Sequence, residues 1–195
     1  MEPARQPQPM DDDPLDDIAA AFGQIVDAKS AWTAGHSARV ALVTEHVAER
    51  LGLGAPERRW LRRGALLHDV GKLGVSNRIL DKAGLLDAAE WATVRQHASN
   101  TEQILGRIGA FGALARIAGA HHEKLDGTGY PRGLDARHIR LETRIITTAD
   151  GCKTSPSKMP HRPPKIRYLH WTPKITVLGM MAAAYSGWGV AGVKE

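Results

Sequence analysis

The 195-residue chain has a single cysteine, Cys152, two phenylalanines and three tyrosines. One thiol excludes both an internal disulfide framework and a cysteine-ligated zinc site, and a reducing cytoplasm is the compartment that such a chain suits. The opening stretch MEPARQPQPMDDDPLDD has no apolar core of the kind a secretory signal needs. It reads as a disordered acidic leader over residues 1–14. Period-two alternation and internal repeats are also missing, which leaves an all-α body of one domain.

An excess of charge of either sign is missing from that body. The formal net charge is +5, yet Lys153, Lys158, Arg162, Lys165, Arg167, Lys174 and Lys194 all follow Cys152 with only Glu195 against them. Residues 1–152 are left slightly acidic, so they carry no electrostatic footprint for nucleic acid. Residues 153–195 form an atypical tail, basic and proline-rich at first and apolar afterwards. Its run from Ile175 to Val193 is uncharged, but glycine and alanine dominate and Leu178 is its only leucine. A membrane span is not expected there.

What is present is helical punctuation. Leu15 to Ala31 carries Leu15, Ile18, Ala19, Phe22, Ile25 and Val26 at helical spacing, and Ser37 to Leu51 repeats the pattern with Val40, Val43, Val47 and Leu51. Gly52 and Gly54 end the second segment, and Pro56 suits the first turn of a third, Glu57 to Val70. That helix is expected to deliver His68 and Asp69 at its C-terminal end. A loop over Gly71 to Gly84 follows; Asp87 then caps a helix through Ile108 with Trp91, Val94, Ile104, Leu105 and Ile108 inward. A short helix, Ala113 to Glu123, is expected to present His121 and His122 on its last turn. The glycine-rich LDGTGYPRGLD reads as a surface loop, and Ile139 to Asp150 as a closing helix with Leu141, Ile145 and Ile146 buried.

On these apolar helices lie His36, His68, Asp69, His97, His121, His122 and Asp150. A single buried histidine beside a capping aspartate is ordinary core. Five histidines and two aspartates spread over five helices are costly to bury without a partner that offsets their desolvation, and a metal is such a partner. Ligands of nitrogen and oxygen without thiolate favour iron, manganese or zinc. Seven ligands exceed one site with an open position, so two metals fit better, with Asp69 as the natural bridge. Paired ions suit hydrolysis at phosphorus. Lys72 can then bring a cation to the phosphate, although by itself it reads equally as a partner for the end of a helix dipole.

The succession LLHDVGKLG, Lys82-Ala83-Gly84, His97, HHEKLDGTGYP and ITTAD resembles the HD-GYP family, a bacterial branch of the HD phosphohydrolases, over Thr33 to Asp150. The resemblance implies an HD-domain helical bundle, residues 15–152, around a metal centre of iron or manganese. It implies hydrolysis of the second messenger cyclic di-GMP to pGpG and GMP in cytoplasmic signal transduction. It carries over His36, His68, Asp69, His97, His121, His122 and Asp150 as metal ligands, with Asp69 and Lys72 catalytic and Lys72 on the phosphate. Gly127, Gly129 and Tyr130 belong to the signature loop beside the substrate, which also contacts partner domains of the diguanylate cyclase type. From the residues themselves, Gly127 and Gly129 permit a tight turn and Tyr130 before Pro131 is held extended.

Several departures qualify that expectation. An acidic residue that holds a third metal in some members is replaced by Trp32, which favours a dinuclear site. Ser76 and Thr101 stand where the family usually has proline and glycine. After Asp150 the family's closing segment gives way to GCKTSPSKMPHRPPKIRYLHW, in which Met159 and His161 replace an arginine and a tyrosine. Five of the 11 prolines fall in this tail, as expected if a frameshift or truncation had replaced the closing helices. Alternative functions are therefore a catalytically weak signalling or binding module, or an HD hydrolase acting on another nucleotide.

Overall fold

A computed structural model describes residues 14–30 and 33–152. Residues 1–13 of the acidic leader, Trp32 with its bearing on a third metal, and the tail from Lys153 lie outside the described residues. Among the described residues the fold is all-α, as the periodicity predicts; an isolated bridge pairs Asp126 with Asp135. No helix among them is long and apolar enough to cross a membrane.

Helix α1 spans Pro14–Ala28 and α2 spans His36–Arg50. The stripe that α1 buries is Ala19, Gly23 and Val26, whereas Ile18 and Ile25, expected on the packing face, are 42% and 53% exposed. The cause is close approach: a Cβ on Gly23 would stand 3.2 Å from both the Leu66 carbonyl oxygen and the Ser37 Cβ. Small residues therefore face the core and rotate the larger ones outward.

Helix α3, Ala55–Leu67, opens with Glu57 accepting from the Gly54 N–H at 2.9 Å. It buries Leu61, Gly64, Ala65, Leu66 and Leu67 against α1, α2 and two later helices, Gly112–Ala118 and Leu141–Gly151. Its polar side is stitched to its neighbours. Arg59 and Arg63 each reach Asp16 of α1 at 2.5 Å, and Arg58 reaches Glu49 of α2 at 2.8 Å.

The helix ends at Leu67, three residues before the expected Val70. Asp69 leaves helical geometry at φ −102°, ψ 7°, and Val70–Gly74 winds into a 3-10 turn. The expected loop thus contains that turn and the short α4, Asn77–Leu80, whose cap Ser76 accepts from the Arg78 N–H. Lys72 therefore lies on the 3-10 turn and not on a continued helix.

Helix α5 spans Ala88–Gly106, and Asp87 and Glu90 satisfy each other's backbone N–H groups at its start. It stops before Ile108, which is 36% exposed and not inward as expected. After α6, Gly112–Ala118, the histidines His121 and His122 fall in a turn beyond the helix and not on its last turn. Helix α7 spans Leu141–Gly151. Leu61, Leu67, Leu105, Phe111, Leu114, Ile145 and Ile146 fill the core among α3, α5, α6 and α7.

Candidate metal centre

The structure brings all seven predicted polar residues into one cluster. His36 opens α2, His68 and Asp69 follow α3, His97 lies within α5, His121 and His122 follow α6, and Asp150 is near the end of α7. Ring centroids stand 5.3 Å apart for His36 and His68, 4.9 Å for His68 and His121, and 4.9 Å for His97 and His122. Asp150 closes the circle, its Oδ1 3.1 Å from His36 Nε2. His68, Asp69, His97 and His121 are buried, and the cluster opens to solvent where His36 and Asp150 are partly exposed.

Three of the imidazoles are oriented by the backbone. Nδ1 of His68, His97 and His121 lies 2.6 Å from the carbonyl oxygens of Ala65, Val94 and Ala118. A carbonyl only accepts, so each Nδ1 carries the proton; His97 and His121, which burial keeps neutral, turn an Nε2 lone pair inward, and His68 offers one when its Nε2 gives up its proton. The sequence places these acceptors three residues before each histidine, a regularity that its spacing contains but does not advertise.

Asp69 stands between two histidine sets. Its Oδ2 takes the Lys72 ammonium at 2.5 Å and lies 3.2 Å from His68 Nε2 and 3.6 Å from His36 Nε2. Its Oδ1 lies 3.4 Å from His97 Nε2 and 3.6 Å from His121 Nε2. That oxygen is buried without a hydrogen-bond partner. With the protons of His97 and His121 on Nδ1, the Asp69 oxygen and two lone pairs meet with no hydrogen among them. Such an arrangement is costly when buried, and a cation satisfies it. The residues therefore fit divalent metal ions, with ligand atoms grouped as His36, His68 and Asp69, as His97, His121 and His122, and as His68, His121 and Asp150.

The electrostatics agree. Burial raises the Asp69 carboxyl, but Lys72 and His68 outweigh it and hold Asp69 ionised, well below the usual carboxylate range. Asp150 is likewise held low, its hydrogen bond to His36 and the charge of His68 exceeding the effect of burial. Burial presses the other way on the imidazoles: His97 and His121 are pushed down, and His122 falls to about 4, helped by His97. His68 is the exception, for although burial lowers it, Asp69 and Asp150 raise it to about 9. The donor set is thus mostly neutral nitrogens around two carboxylates.

Residues that sequence reasoning passed over hold this arrangement. Thr101, noted only as a departure, donates from Oγ1 to the His68 carbonyl at 3.0 Å and accepts the Gly71 N–H at 2.9 Å. A buried Asp27 accepts from the N–H and hydroxyl of Ser37, which fixes the start of α2 beside His36. Glu123 accepts from the N–H groups of Arg132 and Leu134 and so closes the loop after His122. No spacing rule marks these contacts, because each depends on a distant element.

In that loop Gly127 has φ 77°, the left-handed turn that its position predicts. Gly129 is needed for close approach, since a Cβ there would lie 2.4 Å from the Lys124 nitrogen. The Tyr130–Pro131 peptide is cis. The Tyr130 ring stacks on His122 with centroids 4.7 Å apart and planes at 28°. The structure therefore brings Tyr130 to the cluster, while Gly127 and Gly129 shape the backbone that carries it.

Several known proteins are similar to this chain. A family model described as the HD domain matches residues 21–165. A 3'3'-cGAMP-specific phosphodiesterase of Vibrio cholerae is 59% identical over 160 residues, covering 82% of this chain and 35% of that protein. A cyclic di-GMP phosphodiesterase of Thermotoga maritima is 33% identical over 156 residues, covering 79% of this chain and 42% of its own. Among solved structures, an HDG"Y"P protein from Bdellovibrio bacteriovorus aligns with TM-score 0.50 at 23% identity over 69% of this chain and 49% of that one, a likeness of fold. The chain thus spans 35% and 42% of the length of these two curated relatives.

Proposed function

Because this chain belongs to the HD-domain family, in its HD-GYP type, we propose that it is a metal-dependent phosphodiesterase that hydrolyses a cyclic dinucleotide in the cytoplasm. The observation that carries the reading is Asp69, whose two oxygens face two separate sets of histidines. Two divalent ions, iron or manganese by the family resemblance, would be held with Asp69 between them. His36, His68 and Asp150 serve one side, and His97, His121 and His122 the other. When bound, the ions supply Lewis-acid polarisation of phosphoryl oxygens and a water activated at neutral pH.

The chain's own residues do the remainder. Lys72, on its 3-10 turn beside Asp69, offers an ammonium to a non-bridging oxygen of the phosphate. Tyr130 presents an aromatic face next to His122 for the nucleotide, on a backbone shaped by Gly127 and Gly129. In the reaction, water oxygen bonds to phosphorus, the bond from phosphorus to the ribose 3' oxygen breaks, and that oxygen takes the proton. The product is a linear dinucleotide with a 5' phosphate, and a second cleavage gives mononucleotides. The more similar relative is named for 3'3'-cGAMP, and this supports that substrate ahead of the cyclic di-GMP that the sequence motif implies. By the resemblance, the Tyr130 loop also contacts partner domains of the diguanylate cyclase type.

The test is product analysis by chromatography, using the purified chain loaded with manganese or iron and offered 3'3'-cGAMP or cyclic di-GMP. Turnover of either, absent in Asp69→Ala, is the expected result. Binding without turnover would replace the enzyme with a signalling module; turnover of other nucleotides alone would reassign the substrate.

A further inference from the structure

Beyond the metal cluster the aromatic contacts continue outward along α5. Tyr130, stacked on His122, also stands edge-on to His97 with ring centroids 6.3 Å apart. The guanidinium carbon of Arg95 lies 5.3 Å from the Tyr130 ring centroid and 5.6 Å from that of Trp91. Arg95 is exposed and sits two residues before His97 on α5. Two aromatic rings therefore hold a planar cation beside the centre.

That cation has unused bonding capacity. Arg58, Arg59, Arg63 and Arg132 all end on carboxylates. Arg95 has no hydrogen bond and no ion pair among the described residues. Its five N–H donors belong to a guanidinium that lies against two aromatic rings, an arrangement that restricts the side chain while leaving donors for an anion.

We infer that Arg95 is a substrate-binding residue that takes the second phosphate of a cyclic dinucleotide while the first is hydrolysed at the Asp69 centre. This assignment rests on the proposed phosphodiesterase function. The chemistry requires such a group: the two phosphates of a cyclic dinucleotide are tied together through the same riboses, so the uncleaved one must lie beside the centre. Lys72, beside Asp69, is already assigned to the phosphate being hydrolysed. A guanidinium meets a phosphate with paired donors, which an ammonium does not reproduce.

The test compares wild type, Arg95→Gln and Arg95→Lys, each manganese-loaded, by calorimetric titration with 3'3'-cGAMP and cyclic di-GMP and by steady-state kinetics. Loss of a charged hydrogen bond predicts a rise in Kd and KM on the order of tenfold in Arg95→Gln. The kcat is expected to stay within about twofold, because binding common to ground and transition states is lost. Arg95→Lys is expected to recover part of the affinity. Overturning results are a Kd within about twofold of wild type, a loss confined to kcat, or no difference between Gln and Lys. Helical content and thermal midpoint should match wild type, and a fall in either with the same loss of binding would reassign Arg95 to structure. Binding by wild type without turnover would remove the phosphodiesterase reading yet leave the Kd ratio to decide Arg95. Absence of wild-type binding would overturn both.

Discussion

A Cβ on Gly71 would stand 1.9 Å from the carbonyl oxygen of His97. The turn that follows Asp69 and the helix that carries His97 thus touch through backbone alone, and their contact fixes the distance between two parts of the metal centre.

Gly71→Ala is expected to force that contact open. The cost should reach about 3 kcal/mol or more, because the clash is with backbone of α5 and not with a flexible side chain. Differential scanning calorimetry and metal content should both fall. Gly84→Ala, where a Cβ would meet nothing within 4 Å, is the matched control and should leave both unchanged.

Thr101→Val removes the hydroxyl that joins the His68 carbonyl to the Gly71 N–H. Shape is nearly conserved, but two buried backbone groups lose their partner. A loss of about 1–3 kcal/mol in urea unfolding is expected. Thr101→Ser should keep most of the stability.

Asp16 ties α1 to Arg59 and Arg63 of α3. Burial raises its carboxyl, but the hydrogen bonds from Arg63 and Arg59 win and hold it below its ordinary value of 3.8. A carboxyl lowered on folding contributes stability above its unfolded pKa and loses it as pH falls through the folded one. Asp16→Asn should therefore cost about 1 kcal/mol or less at pH 7, unchanged at about pH 5. The difference from wild type should shrink below the carboxylate range, as measured by urea unfolding across pH.

Metal stoichiometry tests the double role of Asp69. Elemental analysis of the manganese-loaded chain should give two ions. His36→Ala and His122→Ala should each reduce occupancy on one side, and Asp69→Ala should empty both. Ions bound only to the folded state also stabilise it, so chelation should lower the thermal midpoint of wild type and leave Asp69→Ala unmoved.

Much of this was legible in the sequence because it is local. Helical period, the Asp87 cap, the Gly127 turn and the identity of the seven polar residues depend on residue type and spacing within an element. The departures arise where distant backbone intervenes. Gly23 lets α1 approach so closely that Ile18 and Ile25 turn outward. Helix α3 stops at Leu67 because the next residues answer to Thr101, some thirty positions away, and not to their own periodicity. Arg95 meets the Tyr130 ring, which comes from a separate loop, and no spacing within α5 marks that contact.

The contact between His36 and Asp150, 3.1 Å across, joins the first residue of α2 to the end of α7. During synthesis the ribosome delivers these two residues at opposite ends of the task, and the early one waits for the late one. A nascent chain interrupted anywhere before α7 has emerged lacks one wall of the centre. Assembly of the site is thereby timed to the emergence of α7, so that a chain made only up to that helix has no complete place to hold its ions.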